Sequence, residues 1–137
     1  MCGILAIIGN KISDNPKFAQ ALAKQAYRGP DGSSIQKVGS SGLLGFNRLA
    51  IQDTSEQSMQ PFPYRENWII FNGEIYNFKE LRKELIGEDY EFHTSGDVEV
   101  LCIGLSAHGS SFIKKLNGIF AFCFYEHKTD SYLVARD

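Results

Sequence analysis

The sequence has no strong excess of charge of either sign. It carries 14 basic and 16 acidic residues, a net charge of -2 at pH 7, and no basic run is longer than a pair such as Lys114–Lys115. Proteins that bind nucleic acid or anionic membranes through charge need a basic patch or stripe on one face. We therefore expect neither nucleic acid nor a membrane surface among the partners of this chain.

Paired cysteines and long apolar runs are scarce as well. The three cysteines, Cys2, Cys102 and Cys123, lie far apart, and neither a CxxC pair nor a Cys/His metal spacing occurs. The apolar run Cys2–Ile8 has seven residues, which is too short to cross a bilayer, and it lacks the basic start and cleavage site of a signal peptide. These absences predict a cytoplasmic protein with reduced thiols and no bound metal.

The remaining composition is that of an ordinary globular protein, with 43% hydrophobic and 22% charged residues among 137. This length predicts one domain or a piece of one. Apolar runs predict strands over Cys2–Gly9, Gly42–Ile51, Trp68–Phe71, Gly118–Tyr125 and Tyr132–Ala135. Several runs are apolar on both faces, which predicts sheets buried between other layers in an α+β fold. The third strand is expected to stop at Asn72-Gly73, because this dipeptide is typical of tight turns.

Helical periodicity predicts three helices, and each follows a start signal. The signals are Asn15-Pro16, the capping pair Asn77 and Glu80, and the capping pair Thr94 and Asp97. Before the second strand, Arg28–Gly32 is dense in turn residues and predicts a tight turn that supports the first strand. The chain ends at Asp137 directly after a predicted strand, so we expect the domain to be incomplete at its C-terminus.

Cys2 is the first residue with a chemical interpretation. Its side chain is small enough for Met1 to be removed, which would leave a free α-amine with a pKa of roughly 7.7–8.0 beside a thiol of roughly 8.5. One residue would then supply both nucleophile and base, without a histidine partner. The alternative is a small buried hydrophobe in the first strand, and a Met-Cys start taken alone favours that alternative.

Seven short segments follow one another in a characteristic order. They are Met1–Ile4, Arg28–Gly32, Asn47–Asp53, Gln60–Phe62, Asn72–Asn77, Ser95–Leu101 and Leu116–Phe122. Together they resemble the glutaminase domain of the asparagine synthetases, which are class II glutamine amidotransferases of the N-terminal nucleophile hydrolase superfamily. The resemblance spans residues 1–137 and implies a four-layer αββα sandwich, in agreement with the two-sided apolar strands.

The resemblance also implies catalytic residues. Cys2 would attack the side-chain amide of L-glutamine, while the Asn72 side chain and the Gly73 backbone N–H would form the oxyanion hole. The residue types suit this chemistry, since a strand that ends in Asn-Gly can present a polar side chain and an unhindered N–H to one point. Outside this context, Asn72-Gly73 would indicate an ordinary hairpin turn.

Both charged ends of a free amino acid have implied partners. Arg48 would bind the α-carboxylate, because a guanidinium matches a carboxylate in two-point geometry. The backbone of the next residues would line the same pocket: Leu49, Ala50, Ile51 and Gln52. Asp97 would bind the α-ammonium with Glu74 nearby, although a carboxylate at a helix start also has a purely structural explanation.

Two positions depart from the family pattern. Tyr27 stands where many relatives have histidine, and Phe46 replaces a frequent histidine or other polar residue. Neither has a catalytic role that follows from its chemistry, so both bear on the subfamily. Cys102 and Cys123 lie in helix and strand patterns and are interpreted as packing residues.

The predicted function is hydrolysis of L-glutamine to glutamate and ammonia, with no metal or organic cofactor in this domain. The resemblance also implies a C-terminal synthetase domain, absent from this chain, that would use ATP and magnesium to amidate aspartate. Four alternatives stay open: an amidotransferase for amino sugars or nucleotide precursors, a related enzyme that amidates a surface sugar acid, a non-catalytic binding or regulatory domain, and an amidohydrolase for another amide. The sequence also leaves a homo-oligomer open.

Overall fold

The computed structural model describes residues 2–9, 16–50 and 56–137, without the side chain of residue 56. The strands are β1 (Gly3–Ile8), β2 (Gly32–Val38), β3 (Gly42–Arg48), β4 (Phe62–Tyr64), β5 (Asn67–Ile75), β6 (Gly118–Glu126) and β7 (Ser131–Arg136). The helices are α1 (Pro16–Ala23), α2 (Phe78–Gly87) and α3 (Asp97–His108), with short 3-10 turns at Ala26–Arg28, Glu56–Ser58 and Gly109–Lys115. The predicted cap Asn15 lies outside the described residues.

The strands form two antiparallel sheets. The first sheet has the order β1-β3-β2, and the second has the order β4-β5-β6-β7. Leu44 and Phe46 of the first sheet pack with Ile70, Cys123 and Tyr125 of the second. Because side chains alternate along a strand, each sheet has a second face, and helices cover both of these outer faces.

Helix α1 covers the outer face of the first sheet, where Phe18 and Leu22 pack so closely over Gly45 that a Cβ there would lie 2.9 Å from the phenylalanine ring. Helices α2 and α3 cover the second sheet, and their Leu81 and Leu101 join the phenylalanines on its outer face in one cluster. The layer order is therefore helix, sheet, sheet, helix pair, which confirms the predicted αββα sandwich.

The predicted stop of the third strand at Asn72-Gly73 is wrong. Strand β5 continues to Ile75, and Gly73 pairs with Phe120 across the ladder to β6. Gly73 has a φ of +152°, and a Cβ there would lie 2.1 Å from the Ile119 carbonyl oxygen. This glycine therefore allows two strands to approach closely instead of making a turn.

Neither predicted capping pair makes a side-chain cap, although Asn77 does stand at the N-cap position of α2. Asn77 precedes α2, but its side chain donates to the Lys115 carbonyl at 2.9 Å and accepts from the Asn117 N–H at 3.0 Å. Thr94 lies before the start of α3 and bonds Glu99 at 2.8 Å. Contacts distant in sequence thus override the local preference of Asn77, whereas Thr94 lies before the N-cap residue Gly96 and bonds a carboxylate within the first turn of α3.

The last two findings concern the cysteines of the core and the length of the helices. Cys102 and Cys123 are 0% and 3% exposed, and burial raises the pKa of the Cys123 thiol to about 11, which agrees with their interpretation as packing residues. In the described part of the chain, no helix is long and apolar enough to cross a membrane.

Candidate active site

A cavity of about 260 Å³ opens between the two sheets beside the start of α3. Of the predicted site residues, those that line it are Cys2, Arg48, Leu49, Asn72, Gly73, Glu74 and Asp97. Ala50 does not line it, and Ile51 and Gln52 lie outside the described residues. The structure therefore brings residues from four separate segments of the chain to one place.

Strand alternation explains why three of these side chains meet. Cys2 packs into the cluster between the sheets, as does Phe46 on β3. Arg48 lies two residues beyond Phe46 and shares its face of the first sheet. On β5, Asn72 likewise lies two residues beyond the inward-facing Ile70. Each sheet therefore contributes polar groups to the same inner space.

The sulfur of Cys2 is held by the backbone of Leu49. The Leu49 N–H donates to Cys2 Sγ at 3.4 Å, and the thiol lies 3.7 Å from the Leu49 carbonyl oxygen that it can donate to. The Arg28 Nε–H donates to the Cys2 carbonyl oxygen at 3.2 Å. Both the backbone and the side chain of the half-buried cysteine are thus fixed at the cavity wall.

The Arg28–Gly32 turn supports the first strand, as predicted, and also reaches the end of β3. The Asp31 N–H donates to the Arg48 carbonyl oxygen at 3.0 Å, and the Asp31 carboxylate accepts from the Ala50 N–H at 2.9 Å. Because Asp31 engages the Ala50 amide, that residue serves the turn instead of the cavity. The turn joins the cysteine-bearing and arginine-bearing segments.

The edge of β5 next to the cavity has an unusual set of partners. Strand β4 pairs with β5 only at Asn67–Ile69. Farther along, the Phe71 N–H donates to Gln60 Oε1 at 2.6 Å, and the Ile75 N–H donates to Asp97 Oδ2 at 2.9 Å. In an antiparallel strand, alternate N–H groups point to the same edge. The N–H of Gly73 therefore lies on this edge, between two amides that side chains occupy.

The Asp97 side chain binds backbone amides of β5 and of the start of α3, and it also lines the cavity. It is 9% exposed, and burial raises the pKa of its carboxyl above the ordinary value of 3.8. Hydrogen bonds from the amides of Ile75, Asp97 itself and Val98 oppose that rise, while the nearby Glu74 charge adds to it. The carboxylate thus holds the strand edge and the helix start, as its structural explanation predicts, and it also faces the cavity.

Sequence reasoning missed half of the cavity lining. The residues not predicted are Phe46, Ser58, Gln60, Phe71, Gly96, Val98 and Ile119. Gln60 stands in one of the seven segments that resemble the family, and this position could have indicated it. Ser58 lies in a polar loop outside those segments, so no sequence signal pointed to it. Tyr27, the other departure from the family pattern, is 81% exposed on the surface.

Glu99 was also missed, although it lies outside the cavity wall. It is 2% exposed, and its carboxylate accepts from the N–H groups of His93 at 2.9 Å and Thr94 at 2.7 Å. These bonds fix the chain just before Asp97. A buried carboxylate with several donors is stable in place because its charge is satisfied.

The arrangement suits acyl transfer from a small zwitterion. The Cys2 thiol shares a cavity with the Asn72 side-chain amide and the Gly73 backbone, groups that can act as a nucleophile and as hydrogen-bond donors to an oxyanion. A guanidinium and a buried carboxylate in the same cavity offer opposite charges to the two ends of an amino acid. Among the described residues, no three His, Cys, Asp or Glu side chains are grouped to hold a metal ion.

Comparisons with known proteins agree on one family. A family model described as "Glutamine amidotransferase domain" matches residues 1–137. The chain is 37% identical to an asparagine synthetase (glutamine-hydrolyzing) of Brassica oleracea, covering 100% of this chain and 24% of that protein. It is 36% identical to asparagine synthetase (glutamine-hydrolyzing) 1 of Bacillus subtilis, covering 100% and 22%. The chain thus spans about a quarter of the length of the curated relatives it matches.

Among solved structures, the glutamine phosphoribosylpyrophosphate amidotransferase of B. subtilis superposes with a TM-score of 0.79 at 20% sequence identity. The match covers 100% of this chain and 37% of that one. At this identity the likeness concerns the fold, and it agrees with the αββα layer order.

Proposed function

This chain belongs to the glutamine amidotransferase domain family, and on that premise we propose that it hydrolyses L-glutamine to glutamate and ammonia with Cys2 as the nucleophile. The observation that carries the proposal is the meeting of Cys2, Arg48, Asn72, Gly73 and Asp97 at one cavity. These residues come from distant parts of the sequence. Together they supply a nucleophile, two oxyanion donors and one group for each charged end of the substrate.

The first half of the reaction makes a thioester. After removal of Met1, the α-amine of Cys2 takes the thiol proton, and the thiolate attacks the side-chain amide carbon of glutamine. A C–S bond forms, and the carbonyl electrons move to the oxygen, which the Asn72 side chain and the Gly73 N–H stabilise. The carbon–nitrogen bond then breaks, and ammonia leaves with the proton that the amine held.

The second half regenerates the enzyme. The Cys2 amine accepts a proton from water as the hydroxyl attacks the γ-glutamyl thioester, and the same two donors stabilise the second oxyanion. The C–S bond breaks, the thiol is re-formed and glutamate leaves. Each oxyanion donor of this kind typically contributes about a hundred- to thousand-fold in rate.

Substrate selection follows from the two charged ends. Arg48 binds the α-carboxylate in two-point geometry, and Asp97 with Glu74 binds the α-ammonium. Leu49 lines the same cavity, and its backbone N–H contacts the sulfur. An amide whose α-amine or α-carboxylate is blocked presents no complementary charge to one of these groups, so such amides should be rejected.

The ammonia has a proposed destination beyond this chain. The relatives named as glutamine-hydrolysing asparagine synthetases support a further synthetase domain that uses ATP and magnesium to make asparagine from aspartate. In this proposal the glutaminase domain itself needs no metal or organic cofactor. Another acceptor, such as a sugar acid, would be recognised in the synthetase domain.

The test is steady-state hydrolysis of L-glutamine, with ammonia release measured for the parent and for Cys2→Ala. The parent is expected to release ammonia from glutamine and to leave N-acetylglutamine and glutamine α-esters intact. The Cys2→Ala variant should release none, while its fold is unchanged. Hydrolysis at the parent rate by Cys2→Ala, or equal rates on blocked amides, would contradict the mechanism.

A further inference from the structure

Gln60 connects the two sheets beside the cavity. Its backbone carbonyl oxygen accepts a hydrogen bond from the Ser34 hydroxyl on β2 of the first sheet. Its side-chain Oε1 accepts the Phe71 N–H on β5 of the second sheet at 2.6 Å. Gln60 itself is only 7% exposed. One residue therefore sets a distance between the sheet that carries Cys2 and the strand that carries the oxyanion donors.

The contact replaces a missing strand partner. Strand β4 leaves the edge of β5 after Ile69, so none of the described strands pairs with the amides that follow on that edge. A buried amide without an acceptor is costly, and the side chains of Gln60 and Asp97 fill this need on either side of Gly73. The two acceptors bracket the one amide of this edge that the reaction requires.

We propose that Gln60 is a positioning residue for the oxyanion hole. It acts through Phe71, by fixing the segment that presents the Asn72 side chain and the Gly73 N–H to the carbon that Cys2 attacks. The inference rests on the proposed function. A misplacement of about 1 Å in such a site can cost about a hundred-fold in rate, whereas binding of the ground-state substrate depends mainly on the charged ends.

The test compares two substitutions that differ in one property. Gln60→Met has a similar length but no oxygen acceptor, whereas Gln60→Glu keeps an acceptor at the same position. Gln57→Met is the matched control, because Gln57 is exposed nearby in the chain. Each variant is assayed for glutaminase kcat/KM, and each is also combined with Cys2→Ala so that L-glutamine affinity can be measured by calorimetry without turnover.

For Gln60→Met, kcat/KM is expected to fall about 10- to 100-fold, while the Kd for L-glutamine in the Cys2→Ala background changes less than about 3-fold. Gln60→Glu should keep kcat/KM within about 5-fold of the parent, since its carboxylate accepts the Phe71 N–H. Gln57→Met should match the parent in both measurements.

Two results would overturn the inference. One is a Gln60→Met variant with parent kcat/KM, and the other is a loss of activity matched by an equal loss of glutamine affinity. If Gln60→Met does not fold, Gln60→Glu decides, because a larger than about 5-fold loss in that folded variant refutes positioning through an acceptor. If the parent has no glutaminase activity, the proposed function is refuted as well. If the parent is active and Gln60→Met leaves kcat/KM unchanged, only this inference is refuted.

Discussion

Alanine in place of Gly73 should destabilise the fold by about 2–6 kcal/mol, the sum of two separate costs. The first is a backbone with a φ of +152°, which costs a residue with a side chain about 1–3 kcal/mol. The second is steric, because the new Cβ would lie 2.1 Å from the Ile119 carbonyl oxygen, and forcing extra atoms into a packed site costs about 1–3 kcal/mol.

Three other glycines separate these two costs. Gly109 has a φ of +58°, but no atom lies within 4 Å of the position that a Cβ would take, so Gly109→Ala carries only the backbone cost. Gly118 has no positive φ, but a Cβ would lie 2.1 Å from the Glu74 carbonyl oxygen, so Gly118→Ala carries only the steric cost. Gly87, in the last turn of α2, has neither problem, and alanine there should stabilise by about 0.5–1 kcal/mol.

The assay is urea unfolding followed through Trp68, the single tryptophan of the chain, which lies on β5 beside the affected ladder. The expected order of stability is Gly87→Ala above the parent, then Gly109→Ala and Gly118→Ala, then Gly73→Ala. If Gly73→Ala were no less stable than Gly109→Ala, the close approach of β5 and β6 would not be the reason for a glycine at this position.

Three further predictions concern the polar groups of the site. Arg48→Ala should raise the KM for glutamine by roughly 10- to 100-fold, the value of a lost charge-assisted hydrogen bond, with Arg48→Lys intermediate, and an unchanged KM would remove Arg48 from the pocket. Glu99→Leu should cost about 3–5 kcal/mol in urea unfolding because buried donors lose their acceptor, and it should exceed the cost of Thr94→Val, which removes only one of them. Burial raises the pKa of Asp97 above 3.8, because the folded protein favours the protonated carboxyl over the charged one. The contribution of Asp97 to stability is therefore full in acid and is lost as the pH rises through the raised pKa. Asp97→Asn should therefore gain stability relative to the parent between acid and neutral pH while its KM rises, and a difference in unfolding free energy independent of pH would contradict this.

Much of the fold could be predicted from the sequence because buried strands are apolar runs. Strands β1, β3, β6 and β7 follow such runs closely. Strand β2 was missed because Gly32–Val38 is largely polar and every second residue along most of it is exposed. Edge position alone does not explain this, since β1 and β7 are also edge strands and are apolar runs.

The errors in the fold arise where another contact replaces the predicted local one. Asn77 has the chemistry of a helix cap, but its side chain bonds Lys115, which folding brings close. Thr94 bonds Glu99, five residues along the chain, instead of capping the backbone of α3. Asn72-Gly73 has the chemistry of a turn, yet it lies in a ladder whose close spacing requires glycine. For Asn77 and for Asn72-Gly73, a local preference is real but weaker than the tertiary contact.

In the site, too, some residues could be predicted from the sequence and others depend on the fold. Cys2, Arg48 and Asp97 could be proposed from the sequence because they stand in segments that resemble the glutaminase family, and their functional groups suit a zwitterionic amide. The contribution of Gln60 could not, since it arises only where β4 leaves the edge of β5 and a side chain replaces the missing strand. Glu99 was hidden for a similar reason, because its donors belong to the loop that packs around it.

The central claim is tested most directly by the intact mass of the purified chain before and after exposure to a diazo-ketone analogue of glutamine. We expect loss of Met1 and one adduct, mapped to Cys2 and blocked by free L-glutamine, while the buried Cys102 and Cys123 remain unmodified. No adduct on a folded chain that has lost Met1, or an adduct that glutamine does not block, would contradict a glutamine pocket built around Cys2.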